Sequence, residues 1–149
     1  MSNTYLFLLI ALVAGAMMPT QAAINNKLAI SVGSPVLAAL ISFVVGTVAL
    51  FVYALLSGES LSALRAAGSA PPVAWIGGLM GAFFVASAVV LVPRLGVALT
   101  FSLIIAGQMI VTLIIDHFGF LGLEVRPVNW ARIAGILLIT GGVALIRRF

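Results

Sequence analysis

The 149 residues are 64% hydrophobic and 7% charged, too few charges to coat a soluble domain of this length. The net charge of +4 sets Lys27, Arg65, Arg94, Arg126, Arg132, Arg147 and Arg148 against Glu59, Asp116 and Glu124. The basic residues fall at the ends of apolar runs, which suits lipid headgroups and not nucleic acid, and the lack of cysteine excludes disulfides, thiolate metal sites and cysteine nucleophiles.

A hydrocarbon core about 30 Å thick takes about 20 apolar residues per helical crossing, which limits the chain to roughly four to six crossings and leaves no room for a separate soluble domain. The chain therefore reads as one transmembrane domain over residues 1–149, all α-helical, with about five crossings. The first apolar run, Tyr5 to about Ile24 and on towards Ile30, predicts a helix over 4–30. Its lead Met1–Tyr5 carries no Lys or Arg, so it reads as a resident helix and not as a signal peptide. Pro19 lies inside it and pushes on the Gly15 carbonyl, which predicts a kink. The alternative is four crossings, with this first segment re-entrant at Pro19.

After a Gly33-Ser34 break the second helix is predicted over 35–56, and after Pro71-Pro72 the third over 73–92. Pro93-Arg94 is expected to form a short turn into the fourth, 96–115, and the fifth spans 129–146 before Arg147-Arg148. Between the second and third, Glu59–Ala70 is expected as a short amphipathic helix at the membrane surface. Asp116–Asn129 is a Gly-rich connection holding most of the acidic charge.

With five crossings, the side of the N-terminus receives Arg65, Arg126 and Arg132, and the other side Lys27, Arg94, Arg147 and Arg148. The positive-inside rule needs a clear Lys/Arg excess, and this chain has little. Either local folding or a partner fixes the topology, or the chain inserts both ways and two copies assemble antiparallel. Transporter folds commonly pair two inverted repeats around a midplane site. No internal repeat is visible, so such symmetry would have to come from a second chain.

One His and three acids make no convincing metal site or triad, so neither a catalytic residue nor a metal or cofactor is expected, and the chain reads as no enzyme. Intramembrane polarity is what remains. Gln21 and Asn25 are one helical turn apart, just beyond Pro19, and amides in hydrocarbon need partners. They line a substrate pathway or bond between helices, and Asn25 could simply cap the helix beside Asn26 and Lys27. On the fourth helix Gln108, Thr112 and Asp116 form a polar stripe at i, i+4 and i+8. Gln108 is the leading pathway candidate, with packing as the plain alternative for it and Thr112. Asp116 is the acid nearest a membrane segment, at the helix end, and carries the candidacy for ion coupling. Trp75 and Trp130, with Tyr5 and Tyr53, sit near segment ends as interfacial anchors, whereas Phe43 is deeper. Trp75 and Phe43 complete the candidate pathway walls. Gly77 and Gly81 make a GxxxG, and Gly135 and Gly142 lie seven apart, both patterns that permit close helix packing.

The ensemble Gln21-x-x-x-Asn25 with Gly33-Ser34-Pro35, Phe43-x-x-Gly46-Thr47, Trp75-x-Gly77-Gly78-x-x-Gly81, Gly107-Gln108, Asp116-His117-Phe118-Gly119 and Arg132-x-x-Gly135-x-x-Leu138 with Gly141-Gly142-Val143 resembles the YdcZ-type proteins. These are small five-helix members of the drug/metabolite transporter superfamily. The resemblance spans nearly the whole chain. It implies a multi-pass protein of the inner (cytoplasmic) membrane, a single-repeat transporter working as an antiparallel pair with itself or with an oppositely oriented sister chain, and a small-molecule substrate. Small multidrug-resistance relatives exchange protons for cations through a glutamate in the first helix. This chain has no acid between Met1 and Gly58, so that mechanism does not carry over, and a neutral or anionic substrate or an uncoupled pathway suits an amide-lined cavity better. A non-transporting scaffold or accessory subunit is the alternative.

Overall fold

The computed structural model describes residues 2–148. Among them are five long helices and no strand: α1 (Ser2–Val32), α2 (Pro35–Leu56), α3 (Val73–Leu95), α4 (Val97–Phe118) and α5 (Trp130–Arg148). All five are long and apolar enough to cross a membrane. Their large apolar side chains point outward: Leu12 is 72% exposed, Leu50 71% and Phe83 76%. Water penalises such a surface and acyl chains accept it.

The helix ends follow from local chemistry. Gly33, at φ +73°, stops α1 in the left-handed conformation, and the Ser34 N–H reaches back to the Ala29 carbonyl at 3.1 Å, closing a Schellman motif. Ser34 then caps α2, its Oγ accepting the Leu37 N–H at 3.3 Å with Pro35 in the first turn. One tripeptide thus ends one helix and starts the next.

One proline follows the sequence expectation and one does not. α1 runs through Pro19 as one helix, as predicted, and is long and apolar enough to cross a membrane. α3 likewise continues through Pro93 to Leu95, and the break expected at Pro93-Arg94 falls at Gly96, at φ +78°. Proline's fixed φ is itself helical, and only glycine takes the positive φ cheaply. The stretch between α2 and α3 is helical as expected, but as a 3₁₀ segment, Leu61–Ser69. Its period of three puts Leu61, Leu64 and Ala67 on one face.

The chain clusters into two compact units, Met1–Pro93 and Arg94–Phe149. In the first, α1 packs along α2, and Ala29, Ala38 and Val89 form a buried cluster flanked by Leu28 and Val32. The two alanines let the helices approach closely. Phe43 of α2 meets α3 at Gly81, where an added Cβ would stand 3.7 Å from the ring. In the second unit α4 and α5 form a helical hairpin, joined by a 3₁₀ turn at Phe120–Gly122 and an irregular strap to Asn129.

Candidate functional site

In the first unit the pairing of α1 with α2 creates an open groove of about 420 Å³, with Thr20, Gln21, Asn25 and Ser42 among its lining residues and Met17 and Ile24 as apolar wall. A second concavity of about 200 Å³ shares Gln21 and Ser42 and continues along α2 past Phe43, Gly46 and Thr47. Gln21, Asn25 and Phe43 are thus brought onto adjoining surfaces. Asn25 is 4% exposed, and its Nδ2 has no hydrogen-bond partner among the described residues. An unsatisfied buried donor costs about 1–3 kcal/mol. Asn25 therefore does not behave as a terminal cap: it lies in the last third of α1, seven residues before its end.

Ser42 and Thr47 are additions to the site. Several helix hydroxyls, such as Thr20 to Ala16 at 2.9 Å and Thr140 to Ile136 at 2.9 Å, donate back to the carbonyl four residues earlier. The side-chain hydroxyls of Ser42 and Thr47 make no such bond among the described residues, and both residues line this second concavity. The available signal was that they are the hydroxyls in the apolar body of α2, five residues apart.

In the second unit Thr112 and Asp116 line a concavity of about 270 Å³ with Arg132 and Gly135. Its polar groups are matched within the unit. Thr112 Oγ1 donates to the Gln108 carbonyl at 2.8 Å. Arg132 Nη1 donates to Asp116 Oδ2 at 3.1 Å and to the Arg126 carbonyl at 3.1 Å. The Arg126 N–H closes on the Asp116 carbonyl at 2.8 Å, and the Val128 N–H on His117 Nδ1 at 3.2 Å. Asn129 Oδ1 accepts the Arg132 N–H at 2.9 Å and caps α5. Asp116 thus already has a counter-charge, and its adjacency to His117 reflects two ties to one strap.

Gln108 and Trp75 are exposed and line none of these surfaces. A Cβ at Gly77, Gly135 or Gly142 would meet nothing among the described residues, so of the four packing glycines only Gly81 has a close neighbour there. No group of three or more His, Asp or Glu among the described residues could hold a metal ion.

The comparison with protein families agrees with the motifs. A family model described as "Putative inner membrane exporter, YdcZ" matches residues 6–145. The chain belongs to the YdcZ family. No curated protein and no solved structure matches it. As a YdcZ-family member with five membrane-capable helices it is a multi-pass protein of the inner membrane, and the description of its family points to export.

Proposed function

We propose that this chain exports a small molecule by alternating access, with two oppositely inserted copies, or one copy and a sister chain, forming inverted repeats around a midplane cavity. The observation that carries the reading is Asn25, a buried amide with an unpartnered donor on a groove between two membrane-crossing helices. A purely structural amide would be expected to have found its partner, because hydrocarbon offers none. Gln21, Asn25, Ser42 and Phe43 supply the first-unit walls of the pathway, and Gln108, Thr112 and Trp75 are its further positions. The even split of Lys and Arg between the two sides of five crossings supports dual insertion. Gly77, Gly135 and Gly142, open among the described residues, are suited to close contact with a second chain. Pro19, by removing a helical hydrogen bond, gives α1 a point of compliance for rocking.

Because the chain has no cysteine, thiol labelling tests this cleanly. Gln21→Cys and Gln108→Cys are each expected to react with a membrane-impermeant maleimide, as a water-filled pathway requires. If both stay unreactive in the folded protein, the bundle is dry and a scaffold role replaces export. A cysteine added after Phe149 reads orientation. Comparable labelling from both sides of the membrane supports the homodimer, and labelling from one side alone requires a sister chain.

A further inference from the structure

The groove between α1 and α2 offers hydrogen bonds without charge. Thr20 Oγ1 already donates to Ala16 and presents only lone pairs, whereas the Gln21 amide and the Ser42 hydroxyl can each donate and accept. Asn25 carries the group with no partner, the Nδ2 donor. Nδ2 is buried, so meeting a ligand in the groove requires a rotation about χ2, the soft torsion of an asparagine. No charged residue lines the groove. Lys27 stands about 200° round the helix from Asn25 but only about 20° from Thr20 and about 60° from Ile24, so it follows the groove on the same face of α1. Glu59 and Arg65 lie beyond the far end of α2, and from Ser42 to that end the helix climbs roughly 21 Å. A cation here would find no carboxylate among the lining residues and would have Lys27 on the same face, so it would forfeit hydration without compensation.

Resting on the export reading above, we infer that this groove excludes cations and takes a small molecule bearing a carbonyl or hydroxyl oxygen. That oxygen accepts from Asn25 Nδ2, and Gln21 and Ser42 take up the molecule's own donors. Met17 and Ile24 face its apolar part. The volume, about 420 Å³, lies in the range of small-molecule sites.

Benzamide, benzamidinium and benzoate have one shape and three charges, and serve as probes. Their binding to the full chain in nanodiscs is measured by saturation-transfer NMR, with empty nanodiscs as baseline. Benzamide is expected to bind at least about tenfold more tightly than benzamidinium, a difference of about 1.4 kcal/mol, and benzoate is expected to bind more tightly than benzamidinium as well. Asn25→Leu is expected to lose benzamide, and Asn25→Asp to turn the preference towards benzamidinium. Benzamidinium binding the wild type as well as benzamide does would overturn the inference. So would absence of benzamide binding to protein shown to be folded by circular dichroism and gel filtration. Asn25→Leu that keeps benzamide binding but changes the oligomeric state would reassign Asn25 to a contact between chains. Export itself is decided by the maleimide labelling, which uses no ligand, so failure of the substrate class and failure of export are told apart.

Discussion

The two units handle buried and half-buried polarity in opposite ways. In the α4–α5 hairpin three polar side chains of the connection hold the strap, Asp116 on Arg132, His117 on Val128 and Asn129 on the start of α5, and Glu124 and Arg126 pair with one another. In the α1–α2 pair the groove keeps a buried amide donor and two hydroxyls without partners among the described residues. Matched polar groups fasten a structure, and unmatched ones keep a cost that a ligand can remove. On the function proposed here, the difference gives the hairpin an architectural role and the groove a binding one.

The comparison breaks most severely at Gly119. This residue ends α4 at φ +61°, and a Cβ there would stand 2.7 Å from Val125 Cγ2 and 3.0 Å from the Leu123 carbonyl oxygen. Gly119→Ala combines left-handed strain with a clash against backbone, and is expected to destabilise the folded protein by about 3 kcal/mol. Thermal unfolding in detergent reads this directly. If Gly119→Ala unfolds like wild type, the strap is not the tight element described above.

Next in size is the Asp116–Arg132 pair, whose side chains are 27% and 31% exposed. Asp116→Asn is expected to cost about 1–2 kcal/mol, discounted for this partial exposure. Arg132→Gln should cost more, because Arg132 also serves the Arg126 carbonyl. The double variant is expected to cost less than the two singles summed, as a double-mutant cycle would record. If Asp116→Asn instead abolishes transport while stability is unchanged, Asp116 regains its candidacy for ion coupling.

How much of this was legible beforehand differs between the two units for physical reasons. Run lengths of apolar residues suffice for five helices, because the thickness of hydrocarbon sets the length of a crossing. Gly33-Ser34-Pro35 was legible because each residue acts on its own backbone. Gln21 and Asn25 were legible as one helical face, since helical spacing is local. That Asn25 is buried without a partner was not, because it depends on which face of α2 packs there. The Asp116–Arg132 pair bridges 16 positions through an irregular strap, and no periodicity announces it. The break at Gly96 was hidden behind Pro93, a residue that looks like a stop but holds a helical φ.

On the groove side the unmatched amide makes an unusual expectation. Asn25→Leu, similar in size and free of the orphaned donor, should raise stability by about 1 kcal/mol while ligand binding is lost. A stability measurement and a benzamide titration on the same preparation check both halves. If Asn25→Leu lowers stability, the amide is held by interactions within the protein and the groove loses its claim to be open.

The smallest effect sharpens the comparison most, because it sets two hydroxyls of similar chemistry side by side. Thr112 Oγ1 is bound to its own helix through the Gln108 carbonyl at 2.8 Å, so it has no donor left for a ligand. Thr112→Val keeps the shape and removes a bond that helices do without. Its expected effect on stability is within about 0.5 kcal/mol, with benzamide binding unchanged. The side-chain hydroxyl of Ser42 makes no such bond among the described residues, and the residue lines both concavities. Ser42→Ala should leave stability equally untouched but weaken benzamide by about three- to tenfold, the loss of one neutral hydrogen bond worth about 0.5–1.5 kcal/mol. Equal stability with unequal binding would separate the two units by function. If the two substitutions have the same effect on binding, hydroxyl partnering does not distinguish groove from hairpin, and the pathway would then have to be sought along α4 as well.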